Sequence, residues 1–543
     1  MLDLFFETSW EVCNKVGGIY AVLSTKAKTL QSKFNDRVVF IGPDQGAENP
    51  DFECCSTMLD EWREQCVLPA GMTVKTGRWK VPGRPIAVLV GYDALYVYKN
   101  ELYAQMWRSF GVDSLHAYGD YDESCIFSYG AALVIESIVT QLNAKRVVAH
   151  FDEWTTGMGL LYVKAHLPQV ATVFTTHATS IGRSICGNGK PLYDYMRGYN
   201  GDQMAQELNM ESKHSLEKCA AHEADVFTTV SDVTATECEQ LIERRPLVTP
   251  NAFEQGYVPK GAKYTATRSK ARKRLLAVAS ALCGVQLASD TLLVATSGRC
   301  EVRNKGIDLF LDTMNVARHH SAKLHGRQVV AMVLVPGWTL EARHDLQDAI
   351  DRGKAVGLFN PIITHNIHNE ESDPIYGKMN FLGLRNQPDE DVKVIYVPCY
   401  LNGNDGIFNM SYYDLLTGFD LTIFPSYYEP WGYTPLESVA MGVPTITTNL
   451  AGFGQWVETT MGANPLKTGV KVVHRTDSNY DEALAAIVDS LYNVASMTSR
   501  QHDSLRRAAK LTSKHATWEH FMPSYYAAYA TALDKAHERV TQE

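Results

Sequence analysis

No apolar run in these 543 residues reaches the roughly 18 that a membrane span requires. The opening MLDLFFETSWEV is apolar but carries Asp3 and Glu7 and lacks a basic flank, so it does not read as a signal peptide. There is no Cys-x-x-Cys pair, and the 11 cysteines are odd in number and scattered. Cys54 and Cys55 are adjacent, which is poor geometry for bonding each other, so the pattern reads as reduced thiols in the cytoplasm. Positive charge is not in excess: 51 Lys+Arg against 61 Asp+Glu leave a net charge of −10, a poor match for a general nucleic-acid binder. Internal repeats and low-complexity tracts are also lacking. What remains is 45% hydrophobic and 21% charged, a globular composition that excludes a wholly disordered or fibrous chain. The length predicts about three to four domains, or two large ones, with cores large enough to need no disulfide or metal staple.

Short β-branched and aromatic runs alternate with longer helical patterns. Strands are expected at 37–41, 86–90, 146–150, 170–176 and 226–230, then at 291–297, 328–335, 392–397, 421–425 and 444–448. Amphipathic stretches lie at 125–142, 205–224, 306–320 and 340–353, and everything from 482 onward reads as helix. Near-continuous apolar strands separated by helices predict parallel sheets covered on both faces. The expected fold class is therefore α/β, with two Rossmann-like doubly wound domains and C-terminal helices. The expected limits are 1–275, 276–490 and a helical segment 491–543 that packs back toward the first domain. Residues 254–290 break the rhythm with a basic run, Lys260 to Arg274, expected to be a solvated helix face beside a domain boundary. In doubly wound sheets ligands bind outside the carboxyl ends of the strands, which predicts a cleft lined by loops of both domains.

Four segments at such strand ends carry chemistry. Asn14-Lys15-Val16-Gly17-Gly18 lies between the opening strand and a helix, where paired glycines admit a ligand and the helix N-terminus offers N–H groups to an anion. A simple Gly-Gly turn explains it equally. His177, with Arg183 six residues on, follows strand 170–176 and is either a ligand contact or a satisfied loop histidine. Arg299 and Lys305 straddle the loop that feeds helix 306–320, and two cations beside a helix terminus suit a diphosphate, although basic surface loops are common. The fourth segment is Ser426-Tyr427-Tyr428-Glu429-Pro430-Trp431-Gly432-Tyr433-Thr434-Pro435-Leu436-Glu437. Thr434 is the expected N-cap and Glu437 falls at the capping-box position, but capping leaves Glu429 unexplained.

These blocks, in this order, are recognisable. The sequence resembles the eukaryotic-type glycogen synthases, retaining glucosyltransferases of the two-domain GT-B fold. The resemblance rests on 11–20 (EVCNKVGGIY), 150–154 (HFDEW), 175–183 (TTHATSIGR), 249–251 (TPN), 298–306 (GRCEVRNKG), 361–366 (PIITHN), 424–435 (FPSYYEPWGYTP) and 447–454 (TTNLAGFG), spread over most of the chain. It implies transfer of glucose from a nucleotide sugar, UDP-glucose above all, to the non-reducing 4-OH of an α-1,4-glucan. By the same resemblance Lys15, Gly17 and Gly18 lie near the donor, and His177, Arg183 and Asn251 contact it. Arg299 and Lys305 hold its diphosphate, Glu429, Trp431, Gly432, Tyr433 and Thr434 form the donor-binding turn, and Glu437 meets the ribose. Tyr400 or Tyr412 stacks on the uracil. Glu429, Arg299, Lys305 and His177 are the expected catalytic residues, Glu153 and Trp154 the acceptor-side ones. Neither a metal nor a cofactor is implied.

The departures carry information too. Asp152 stands where the family has a histidine before Glu-Trp. The arginine-dense C-terminal helix that binds glucose 6-phosphate is thinned to Arg500, Arg506 and Arg507. The insertion between 335 and 361 is shorter than the family's tetramerisation segment, and the phosphorylated extensions are missing. Together these argue for a constitutive enzyme, put hexose-phosphate activation in doubt and leave homo-oligomerisation open. Competing readings are a GT-B transferase using ADP-glucose or another acceptor, and a non-catalytic glucan-binding scaffold.

Overall fold

The computed structural model describes residues 2–46, 48–55 and 59–542. The chain divides into two compact units, Met1–Glu254 with Thr517–Glu543, and Gln255–Ala516. The expected boundaries move accordingly. A cut after 275 would sever the helix Gly261–Cys283, which belongs wholly to the second unit. Of the C-terminal helices, Ser499–Ser513 stays with the second unit and only Trp518–Gln542 joins the first.

In the first unit the strands are β1 (Leu4–Thr8), β2 (Val38–Pro43), β3 (Phe52–Cys54), β4 (Thr73–Trp79), β5 (Ile86–Gly91), β6 (Val147–Asp152), β7 (Val170–Thr176), β8 (Val226–Thr229) and β9 (Leu247–Val248). They form one sheet in the order β3-β4-β5-β2-β1-β6-β7-β8-β9, parallel except at the β3–β4–β5 edge. Strands β1, β2, β6 and β7 are buried along their whole length, as strands covered on both faces must be. The helix Tyr121–Gln141 is long and apolar enough to cross a membrane, yet 67% of its most apolar window is buried inside the unit, where it packs as a core helix. Trp518–Gln542 closes the same unit: Trp518 Nε1 donates to Thr25 Oγ1 at 2.9 Å and Tyr525 OH to the Thr249 carbonyl at 3.1 Å.

The second unit holds β10 (Leu292–Ser297), β11 (Val329–Leu334), β14 (Val392–Val397), β15 (Leu421–Ile423), β16 (Thr445–Thr448) and β17 (Val470–Val473) in one parallel sheet, order β14-β11-β10-β15-β16-β17. A separate antiparallel pair joins β12 (Thr339–Ala342) to β13 (His365–Ile367). That pair corrects the expected helix over 340–353, which forms only from His344 to Asp351. The expected helix over 205–224 is likewise two, Gly201–Glu207 and Glu211–Glu223.

Helix Gly261–Cys283 does not present its basic run to solvent alone. Arg268 and Arg272 grip the buried Asp420 at 2.9 and 2.7 Å, while Arg274 binds the Ile407 carbonyl. Burial pushes the Asp420 carboxyl up, but Arg272, Arg268 and the Leu293 N–H outweigh it and hold it below its ordinary value. Removing one partner from so buried a network costs about 3–5 kcal/mol.

With the antiparallel-edge strands β3 and β4 left uncounted, both sheets contain the order 3-2-1-4-5-6. β5-β2-β1-β6-β7-β8 matches β14-β11-β10-β15-β16-β17. The chain reverses its winding between β1 and β6 in one unit and between β10 and β15 in the other. Those switch points are where the loops part and a crevice opens at the strands' carboxyl ends.

Candidate functional site

At the first unit's switch point the loop after β1 holds Lys15, Gly17 and Gly18. The helix Gly18–Phe34 starts there without a side-chain cap of its own. Instead Glu11 reaches in, its Oε2 accepting the Gly17 N–H at 2.7 Å and the Tyr20 N–H at 2.8 Å. These donors, expected to greet an anion, are thus taken by a carboxylate. A Cβ on Gly17 would lie 3.3 Å from Glu11 Oε1, whereas one on Gly18 meets nothing, so only Gly17 is needed for close approach. Lys15 is exposed, its ammonium 5.7 Å from the centre of the Tyr20 ring.

Strand β6 ends in Asp152, and Glu153 follows with φ 68°, a conformation costing a non-glycine residue about 1–3 kcal/mol. It aims Glu153 Oε1 at the backbone N–H groups of His177 and Ala178, 2.9 and 3.1 Å away. Burial pushes the Glu153 carboxyl up to about 7, against the pull of His177 and Arg183. Asp152 Oδ1 meets His177 Nε2 at 2.9 Å, and burial holds the imidazole below its ordinary pKa.

Thr179 caps the next helix, Ser180–Gly187, by accepting the Gly182 N–H, and Arg183 stands half-buried on its first turn. Under that turn Glu217 accepts from Ser180 N at 2.9 Å and Ser180 Oγ at 2.7 Å. Its own carboxyl is pushed up to about 7 by burial. Asn251 is buried, its Oδ1 without a hydrogen-bond partner among the described residues. Trp154 is only 9% exposed. It stacks on Tyr121 at 6.0 Å with the Lys213 ammonium 4.7 Å from its ring, which fixes it as packing.

At the second unit's switch point β10 delivers Gly298 and Arg299, then Lys305 and Gly306. Gly306 sits at φ 68° as N-cap of the helix Ile307–His319, and a Cβ there would lie 2.1 Å from the Pro425 carbonyl oxygen. Only glycine lets the loops after β10 and β15 meet. They are also stitched by backbone: Tyr427 and Tyr428 N–H both donate to the Asn304 carbonyl, at 2.9 and 3.0 Å. The consequence is a short ion pair between Lys305 Nζ and Glu429 Oε2, 2.6 Å apart, with side chains 15% and 12% exposed. Arg299 stands apart, 50% exposed and 2.9 Å from Glu301.

Gly432, at φ 101°, is the N-cap of the helix Tyr433–Ala440, not Thr434. Thr434 therefore lies inside the first turn, and Glu437 is no capping-box residue. Glu437 Oε1 accepts from Tyr413 OH at 2.8 Å, and Tyr412 OH lies 2.8 Å from Ser297 Oγ at the end of β10. Trp431 is buried beside Phe453, 6.1 Å between ring centres, and its carbonyl accepts the Phe453 N–H. Tyr400 is 72% exposed.

Lys15, His177, Arg299, Lys305 and Glu429 stand in loops that follow sheet strands, as the sequence led one to expect, whereas Glu11, Asn304 and Tyr413 were not among the expected site residues. Asn304 acts through its carbonyl, which no side-chain pattern reveals. Glu11 lay in plain view, with no rule linking it to a turn six residues on.

Comparison with known proteins agrees with this geometry. Residues 7–356 and 346–543 match the sequence model of the family described as glycogen synthase. The chain is 30% identical over 594 residues to the liver glycogen [starch] synthase of Homo sapiens, covering 98% of this chain and 84% of that protein. It is 29% identical over 596 residues to the glycogen [starch] synthase of Neurospora crassa, with the same coverage. Isoform 2 of Saccharomyces cerevisiae is 29% identical over 612 residues, covering 98% of this chain and 86% of that one. Among solved structures, the catalytic domain of starch synthase IV from Arabidopsis thaliana, bound to ADP and acarbose, superposes with TM-score 0.60 at 15% identity, covering 98% and 100% of the two chains. Sucrose-phosphate synthase from Thermosynechococcus elongatus gives 0.54 at 13%, covering 97% and 98%. The two Rossmann-like units with their C-terminal helices make a GT-B glycosyltransferase fold, and the chain belongs to the glycogen synthase family.

Proposed function

We propose that this glycosyltransferase moves glucose from UDP-glucose to the non-reducing 4-OH of an α-1,4-glucan, with retention at the anomeric carbon. The observation that carries the reading is the Lys305–Glu429 pair at the switch point of the second sheet. Without substrate the two charges neutralise each other. A diphosphate is the stronger partner for Lys305, and its arrival releases Glu429 to accept hydrogen bonds from glucose hydroxyls. Arg299, paired with Glu301 at the surface, swings to the same phosphates. Departure of UDP through an oxocarbenium-like state places negative charge on the β-phosphate, so catalysis rests on stabilising that charge. Arg299, Lys305 and the N-terminal N–H groups of the helix Tyr433–Ala440 supply the stabilisation, so no resident metal or cofactor is required. The acceptor hydroxyl enters on the face the leaving group vacates and gives its proton to the departing phosphate, so no carboxylate nucleophile takes part, unlike the retaining hydrolases. Glu437, fixed by Tyr413, reads the ribose, and Tyr412 or Tyr400 the uracil. His177, Arg183 and Asn251 serve the donor sugar, and Glu153 the acceptor side.

Regulation follows the thinned C-terminal helix. Arg506 is buried and donates to the Phe419 carbonyl at 2.9 Å and to Tyr264 OH at 2.7 Å, while Lys510 lies 3.2 Å from the centre of the Tyr264 ring. Arg506 and Lys510 are thus engaged in the fold, which leaves the exposed Arg500 and Arg507 of this helix for a hexose phosphate, and we expect a constitutive enzyme. Its eleven free cysteines suit a reducing compartment, the cytoplasm. The test is nucleotide release from UDP-glucose and ADP-glucose in parallel, with and without glycogen and with millimolar glucose 6-phosphate added. Glycogen-dependent release of UDP, unchanged by the hexose phosphate, is expected. Preference for ADP-glucose, or no release from either, contradicts it.

A further inference from the structure

Beneath His177 lie two carboxylates, Glu7 on β1 and Asp152 at the end of β6, 0% and 1% exposed. Each uses one oxygen. Glu7 Oε1 accepts from Lys26 Nζ at 2.7 Å and lies 3.3 Å from His150 Nδ1, and Asp152 Oδ1 meets His177 Nε2 at 2.9 Å. The other oxygens, Glu7 Oε2 and Asp152 Oδ2, are buried without a hydrogen-bond partner among the described residues, and one oxygen of each carboxyl lies within 4.8 Å of one oxygen of the other. Two buried carboxylates this close repel each other, and a single proton shared between them relieves the repulsion.

Resting on the reading of His177 as a donor-sugar contact, we propose that Asp152 is a positioning residue that shares one proton with Glu7. In that state it holds His177 as the neutral Nε2–H tautomer, leaving Nδ1 to accept a hydrogen bond from a sugar hydroxyl.

The surroundings decide which carboxyl keeps the proton. Burial pushes Glu7 up, but His150 and Lys26 more than offset this and hold it well below the usual carboxylate range. Asp152 is pushed up to about 7, first by burial and then by the charge of Glu7, with His150 opposing. With the proton on Asp152, Oδ2–H donates to Glu7 and Oδ1 accepts from His177 Nε2–H. Ionised Asp152 still accepts there, but a second buried anion beside the ring favours the imidazolium, whose Nδ1 no longer accepts from a sugar hydroxyl. The remaining charged and titratable neighbours are Glu153 and Glu11 near His177, and Tyr529 of the C-terminal helix, whose OH lies 3.3 Å from His150 Nδ1. His150 Nε2 is occupied by Thr175 Oγ1 at 2.6 Å, so that ring does not compete for Asp152.

Asp152→Asn reproduces the protonated group: its amide N–H donates to Glu7 and its carbonyl accepts from His177. Expected are a kcat/KM for UDP-glucose close to that of the parent enzyme at about pH 6, and loss of the decline the parent shows as pH rises past about 7. Asp152→Ala removes both bonds and lowers kcat/KM by about 10- to 100-fold. The infrared difference spectrum, parent minus Asp152→Asn, should contain a protonated-carboxyl C=O band at about pH 6 that fades above about pH 7. An Asp152→Asn enzyme as impaired as Asp152→Ala, or no such band, overturns the proposal. If that variant does not fold, a carbon-13 titration of aspartate carboxyls in the parent, with the same expected midpoint, decides. The spectra need no turnover: the band without UDP-glucose activity refutes the functional reading, and activity without the band refutes the shared proton.

Discussion

Arg299, in its proposed role, allows catalysis to be separated from stability. Its side chain is 50% exposed and touches one carboxylate, Glu301, at 2.9 Å. An exposed pair of this kind is worth at most about 1 kcal/mol, so Arg299→Ala should lower Tm by no more than about 2–4 °C in a unit of this size. In the proposed reaction the same guanidinium meets charge that develops on the leaving diphosphate. Loss of one such donor costs about 2.7–4 kcal/mol of transition-state stabilisation, a fall in kcat of roughly 100- to 1,000-fold. Arg299→Lys keeps the charge but not the planar fork and should fall between. Lys305→Met makes the contrast, since it strands Glu429 at 12% exposure and should cost stability as well as activity. The assay is UDP release at saturating UDP-glucose and glycogen, paired with thermal unfolding of each variant. Near-parental turnover by Arg299→Ala refutes the assignment of the diphosphate site. A large loss of stability in that variant refutes the claim that Arg299 stands free of the fold.

Gly306→Ala forces a Cβ to within 2.1 Å of the Pro425 carbonyl at a backbone φ of 68°, and strain alone there costs about 1–3 kcal/mol. Thermal unfolding should show a marked loss, and an unchanged Tm would contradict the close approach of the two loops. Glu217, pushed up to about 7 from 4.5, contributes stability that is fully present below about pH 4.5 and lost as pH rises through about 7. Glu217→Gln should remove that dependence, gaining on the order of 3 kcal/mol over the parent at pH above about 8, read from urea unfolding at a series of pH values. A parallel pH dependence in parent and variant would place the buried charge elsewhere.

Much of this architecture was written in apolar runs. β7 and β14 fall where 170–176 and 392–397 were expected, because a strand buried on both faces leaves an unbroken hydrophobic signature. β4, with exposed Thr73 and Lys75, and β12, which pairs with β13 across more than twenty residues, carry no such signature. The basic run of helix Gly261–Cys283 read as solvated because its partner Asp420 lies about 150 residues on, and charge alone does not name a distant acceptor. At the site, residue types at strand ends were legible and backbone geometry was not. Thr434 satisfied the sequence rule for an N-cap, but Gly432, free to adopt φ 101°, ends the loop two residues earlier. The Asp152–Glu7 pair joins residues 145 positions apart on strands separated by no other, visible only once β1 and β6 are neighbours.

The most direct test of the account follows the new bond itself. Maltoheptaose is extended with UDP-glucose carrying carbon-13 at C1, while released UDP is counted against glucose incorporated. The account predicts one UDP per glucose and an α-1,4 linkage at the labelled carbon, with retention. A β-linked product, a label left on free glucose, or incorporation without stoichiometric UDP would contradict it.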